Sequence, residues 1–135
     1  MTNTIQATGC CLCGAVQIKV TRLDSRIGVC HCNRCRRWGG GPLMAVDCKE
    51  DVIFGGEAFI STYSSSEWAE RGFCKQCGTH LFFVLKESKQ YHIPVGIFGS
   101  DIDLTFDHQI FIDKKPSWYN FAEQTRNMTE AEVIG

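Results

Sequence analysis

The sequence predicts a mainly β fold, built from antiparallel sheets with little helix. Three observations carry that reading. Val16, Ile18 and Val20 alternate with Gln17, Lys19 and Thr21, the period-two pattern of a strand with one buried face. Short apolar runs recur along the chain, divided by glycine-rich or polar turns. Nine cysteines fall in spaced groups, as metal ligands do.

In chain order, Cys11-Leu12-Cys13-Gly14 opens the fold as a knuckle, where Gly14 lets the backbone turn sharply and aim amides at sulfur. The alternating strand follows. Arg22 to Arg26 is a polar turn, and Ile27-Gly28-Val29 leads into Cys30-His31-Cys32-Asn33-Arg34-Cys35. Gly39-Gly40-Gly41-Pro42 is a loop, either a plain connector or a backbone segment that approaches a ligand closely. Leu43 to Val46 is a short strand. Asp51–Phe54 and Ala58–Tyr63 flank Gly55-Gly56, which predicts a hairpin. Trp68 to Phe73 runs into Cys74-Lys75-Gln76-Cys77-Gly78, a second knuckle. Leu81–Leu85 and Tyr91–Val95 flank a polar turn and form another hairpin. Phe106 to Ile112 gives the last strand, and Pro116 to Tyr119 an aromatic turn. Thr129-Glu130-Ala131-Glu132 has capping-box spacing for a short terminal helix.

A chain of 135 residues suggests one domain, with 44% apolar and 21% charged residues. The net charge of -1 argues against the basic footprint of a nucleic-acid binder. The opening stretch MTNTIQATG has neither a basic nor an apolar run, and no segment approaches transmembrane length. The expectation is a cytoplasmic protein with no membrane or nucleic-acid partner. An odd cysteine count without a secretory leader argues against a disulfide scaffold.

Two metal sites follow from the spacing. Cys11 and Cys13 supply two thiols, Cys74 and Cys77 two more, and together they make a closed tetrahedral set. Structural zinc contributes on the order of 10 kcal/mol to folding in small peptides. Loop closure costs only a few kcal/mol because it grows logarithmically. The metal outweighs the loop, so a structural zinc is expected here. A redox role for the Cys74–Cys77 pair is weakened by its CxC partner and by the lack of a βαβ context.

Cys30, Cys32 and Cys35 are one ligand short of a tetrahedron, which suits a catalytic zinc with an open position. A substrate thiol could take that position as a thiolate. The rival reading is a second structural site closed by Cys48. His31 is expected to pack or support rather than ligate. Arg34, Arg36 and Arg37 either balance thiolates and grip a carboxylated substrate or form a solvated turn. Trp38, Trp68 and Trp118 are expected in the core. Cys10 is spare, and His80, His92 and His108 carry no assignment.

Cys11-x-Cys13-Gly14, Cys30-His31-Cys32-x-x-Cys35-Arg36 and Phe73-Cys74-x-x-Cys77-Gly78-Thr79, in this order, resemble the glutathione-dependent formaldehyde-activating enzyme family, also called the CENP-V/GFA domain. The resemblance spans about residues 9–112, with 113–135 as a C-terminal extension. It implies an Mss4-like fold, structural zinc on Cys11, Cys13, Cys74 and Cys77, and catalytic zinc on Cys30, Cys32 and Cys35, with Arg36 in support. It implies a carbon–sulfur lyase that joins glutathione or a similar small thiol to formaldehyde or a related carbonyl. The second zinc is open to partial occupancy. The oligomeric state stays open, a homodimer included. Two alternatives remain at this point: a non-catalytic two-zinc interaction module, and a thiol redox enzyme using Cys48 or Cys10.

Overall fold

The computed structural model describes residues 4–134. The strands are β1 (Thr4–Cys10), β2 (Gln17–Asp24), β3 (Arg26–Cys30), β4 (Leu43–Lys49), β5 (Val52–Gly55) and β6 (Ile60–Ser64). They continue as β7 (Ala69–Cys74), β8 (His80–Leu85), β9 (Tyr91–Pro94), β10 (Thr105–Ile110) and β11 (Arg126–Asn127). Helix α1 (Asn33–Gly39) follows β3, and α2 (Glu130–Ile134) closes the described chain. The mainly β expectation holds.

The strands form two sheets. The smaller has the order β1-β2-β5 and the larger β11-β10-β3-β4-β9-β8-β7-β6. In β2, Ile18 and Val20 are buried while Gln17 and Lys19 are exposed, the alternation read from the sequence. That inner face, with Leu23, meets Val46 and Cys48 of β4, Leu81, Phe82 and Val84 of β8 and Ile93 of β9 in one core. Each fully buried Val, Leu or Ile contributes about 1.5–3 kcal/mol, so this face-to-face packing holds the sheets together. The close approach has a specific mark at Gly9, where a Cβ would lie 2.1 Å from the Ile97 carbonyl oxygen. Only glycine lets β1 pass the turn at Val95–Phe98.

The β8–β9 hairpin and the terminal helix form as expected. Glu132 N–H donates to Thr129 Oγ1 at 3.2 Å and Thr129 N–H to Glu132 Oε1 at 2.8 Å, a reciprocal cap. Four expectations are corrected. Asp51–Phe54 and Ala58–Tyr63 are not a hairpin, because β5 pairs with β2 and β6 with β7. Gly56, at φ 73°, starts a 3-10 turn over Glu57–Phe59 that carries the chain from one sheet to the other. The polar turn at 22–26 shrinks to Ser25, with Arg22 inside β2 and Arg26 inside β3. The larger sheet is not wholly antiparallel, since β10 runs parallel to β3 and to β11. The tryptophans are not in the core: Trp68 is 56% exposed, Trp118 72%, and Trp38 is half-buried.

Candidate metal centres

Two groups of cysteines come together, each with its sulfurs within 4.8 Å of one another. The first is Cys11, Cys13, Cys74 and Cys77. Its halves are two similar knuckles. Gly14 (φ 81°) returns its N–H to the Cys11 carbonyl at 3.1 Å, and Gly78 (φ 80°) does so to Cys74 at 2.8 Å. Positive φ at those positions is cheap only for glycine. The tight turns free other donors for sulfur. Val16 N–H donates to Cys11 Sγ at 3.3 Å and Gln76 Nε2 to Cys13 Sγ at 3.6 Å. The Thr79 hydroxyl accepts from Leu12 N–H at 3.1 Å, so its own hydrogen is free for Cys77 Sγ, also at 3.1 Å. Thr79, through its side chain and then its backbone, pulls the Cys77 thiol down to about 5.

The second group is Cys30, Cys32 and Cys35. Cys30 ends β3 and is held on both sides, by Leu43 of β4 and Ile110 of β10. Cys32 is the N-cap of α1, with its Sγ accepting from Cys35 N–H at 3.3 Å. Cys35 is buried in the first turn. The short helix, unforeseen in the sequence, exists because Cys32 caps its start and Gly40 its end. Gly40, at φ 89°, donates its N–H to the Arg36 carbonyl at 2.7 Å. The triple glycine therefore terminates a helix, with Gly40 as its cap.

Crowded thiols share charge unequally. The Cys32 thiol is pulled down to about 2, first by its contact with Cys30, then with Cys35, the Cys35 amide and the Arg71 guanidinium. Cys30 is pushed up because its neighbours compete for the same negative charge. Cys35 is raised as well, so the negative charge settles on Cys32. Arg71, on β7, is 2% exposed and donates from Nη2 to Cys35 Sγ at 3.5 Å. Its guanidinium carbon lies 5.9 Å from the Trp38 ring centre and 5.2 Å from that of Phe83.

His31 is fully buried and both ring nitrogens are engaged. Nε2 lies 2.7 Å from Gln109 Oε1, and Nδ1 2.6 Å from the Tyr119 hydroxyl. Gln109 Nε2 donates to Thr125 Oγ1 at 2.9 Å, and the Thr125 hydroxyl donates to Asn127 Oδ1 at 2.7 Å. The direction of this chain fixes the tautomer: Nε2 carries the proton, and Nδ1 accepts from Tyr119. Burial, the largest effect, lowers the His31 pKa and agrees with a neutral ring. His31 supports the cluster rather than joining it. Arg36 Nε donates to the His31 carbonyl at 2.9 Å and braces the turn between Cys30 and Cys32. Arg34 Nε donates to the Ser65 carbonyl at 3.1 Å and its guanidinium sits over Trp68, tying α1 to the β6–β7 loop. Asn33, Arg36, Arg37, Gly40 and Trp118 line an open pocket of about 180 Å³ against α1.

Cys48 joins neither group. It lies in the core, with its thiol directed at the Val46 carbonyl at 3.7 Å, and burial pushes that thiol up to about 12. Cys10 is exposed and also lies outside both groups. Sequence reasoning passed over Arg71 and Gln109, and it named Thr79 in a motif and Tyr119 in an aromatic turn without giving either a role. A charge in the middle of the run Ala69–Phe73 was the one available signal for Arg71.

Both groups could hold a metal ion, and an all-sulfur set suits a soft or borderline divalent cation. Comparison with known proteins adds the lineage. The family model described as glutathione-dependent formaldehyde-activating enzyme matches residues 6–114. The chain belongs to that family. The matched span contains both cysteine groups, His31, Arg71 and Gln109, while Tyr119 lies beyond it. A Schizosaccharomyces pombe protein named as an uncharacterized lyase is 39% identical over 127 residues, 93% of each chain. A crystal structure of a Rhodobacter sphaeroides protein superposes with a TM-score of 0.60 at 27% identity. That match covers 70% of this chain and 90% of the other. Among the described residues no helix is long and apolar enough to cross a membrane.

Proposed function

We propose that the chain is a zinc-dependent carbon–sulfur lyase-type enzyme that joins a small thiol such as glutathione to formaldehyde or a related carbonyl. One observation carries this: among the described residues, one cysteine group offers four sulfurs and the other only three. Four close a tetrahedron, whereas three leave a place for substrate. Zinc on Cys11, Cys13, Cys74 and Cys77 would be structural, joining a knuckle after β1 to one after β7. Zinc on Cys30, Cys32 and Cys35 would favour the thiolate form of an incoming thiol at neutral pH. Family membership and the lyase name of the yeast relative support the same class.

The chain's own residues have definable tasks in that reaction. Cys30, anchored between two strands, and Cys32 and Cys35, fixed at the helix start, hold the three sulfurs in place. Arg36 and the buried His31 keep the intervening turn rigid. The pocket with Arg36 and Arg37 on its wall offers positive charge to a carboxylated thiol. In the net reaction the thiol sulfur bonds to the carbonyl carbon, the C–O π pair moves to oxygen, and the thiol proton ends there. The reverse breaks that C–S bond.

Cys35→Ser tests the assignment. We expect a folded protein that keeps one zinc, loses the other and loses turnover with glutathione and formaldehyde. Unfolding with loss of both metals would make the second centre structural and overturn the enzymatic reading.

A further inference from the structure

Arg71 is a cation sealed inside the protein without a carboxylate partner. Its side chain is 2% exposed, and among the described residues no Asp or Glu lies within ion-pair distance of it. Its Nη1 is buried and has no hydrogen-bond partner, whereas Nη2 reaches Cys35 Sγ at 3.5 Å. Two aromatic faces, Trp38 and Phe83, fix the guanidinium. Those rings offset part of the desolvation of a cation, but a buried charge still needs an anion. The anion within reach is the three-cysteine cluster.

The charges match. Three thiolates and one divalent ion sum to a single negative charge, which one guanidinium neutralises. A fourth, substrate thiolate would make the bare centre doubly negative, and Arg71 returns it to one. The other cysteine group solves the same problem differently. Its sulfurs take N–H and O–H donors, and Cys13 is exposed to water.

The geometry points to Arg71 as the positioning residue that balances the charge of the Cys30–Cys32–Cys35 centre and sets its metal affinity, without serving the Cys11–Cys13–Cys74–Cys77 centre. This rests on the reading that the three-cysteine cluster holds zinc. Arg71 acts through Cys35 and is not assigned to touch substrate.

The test is zinc binding by the full chain, titrated against a competing chelator across a pH series. Wild type, Arg71→Met, Arg71→Gln and Arg71→Lys are compared. Metal loading must displace thiol protons, so removing the cation should make loading harder and move its pH midpoint upward. At contact distance and an effective dielectric of about 20, one charge is worth well over a tenfold change in affinity. We expect Arg71→Met and Arg71→Gln to keep one zinc at wild-type affinity. The second should bind at least tenfold more weakly, with its midpoint at higher pH. Arg71→Lys should restore most of both. Two zincs at wild-type affinity and an unchanged midpoint in the neutral variants would overturn the inference. If both neutral variants fail to fold, Arg71→Lys decides. Folding with two metals and a near-wild-type midpoint supports charge balance, while unfolding or loss of the second metal assigns Arg71 to packing. A wild-type protein that binds only one zinc would instead overturn the metal reading itself.

Discussion

Tyr119→Phe is the sharpest probe of how the cluster's turn is held. The substitution removes one oxygen and keeps the ring. That oxygen lies 2.6 Å from His31 Nδ1, and His31 is fully buried. Nε2 is committed to Gln109, so the ring cannot turn over to recover a partner. An acceptor left bare in such a site costs about 1–3 kcal/mol, more than the net worth of an ordinary hydrogen bond. The Phe121 ring, centred 6.2 Å from that of His31, has no donor to offer Nδ1 in its place. For a chain of this length we expect Tm to fall by roughly 4–12 °C, taking about 4 °C per kcal/mol. Urea unfolding of the metal-loaded protein gives the free energy directly. The loss should vanish in a His31→Leu background, where no Nδ1 remains to be satisfied. A Tyr119→Phe protein within about 0.5 kcal/mol of wild type, inside the scatter of ordinary surface changes, would refute the sealed His31–Tyr119 hydrogen bond.

Two further outcomes follow from the same framework. Cys48→Ala should cost about 1 kcal/mol, as small core truncations do, yet keep two zincs and turnover; loss of one zinc, read by metal analysis, would restore Cys48 as a ligand. His80 is held down to about 4, first by burial and then by the Arg71 charge. Its folded pKa lies below the unfolded value of about 6.5, so the neutral ring favours the fold. The stability it contributes is complete above pH 6.5 and is lost as pH falls towards 4, up to about 3 kcal/mol. His80→Gln should flatten the stability–pH curve in that window relative to wild type; parallel curves would remove His80 as the cause.

The metal clusters were legible because ligand chemistry leaves a local trace. CxC followed by glycine, CxxC followed by glycine, and three thiols in six residues are each visible in a short window. Strand β2 was legible for a similar reason, since alternation is local. What failed was pairing. Gly55-Gly56 carries the same composition whether the chain folds back or crosses to another sheet. The choice was made by Gln17 opposite Gly55 on β2 and by Cys74 opposite Ile60 on β7. The parallel partnership of β3 with β10 is equally silent, because Ile110 lies eighty residues from Cys30. The tryptophans were misplaced because their size suggests a core, whereas Trp68 lies exposed under Arg34, Trp118 lies exposed beside Tyr119, and Trp38 is half-buried against the sealed Arg71.

The missed pairings are the ones that build the second centre. Cys30, Cys32 and Cys35 are contiguous enough to meet without help from the fold, yet proximity alone does not set their charge or rigidity. Strand β10 beside β3 brings Ile110 to Cys30 and Gln109 to His31. Strand β7, on the far side of β4, β9 and β8, delivers Arg71 to Cys35. The segment after β10 returns to place Tyr119 on the same histidine. A local motif therefore depends on two strands and one loop that are distant from it in sequence. Substitutions at the strand partners should alter metal affinity at the three-cysteine centre while leaving the four-cysteine centre loaded. The latter draws its sulfurs and the donors described above from the two knuckles and the residues next to them.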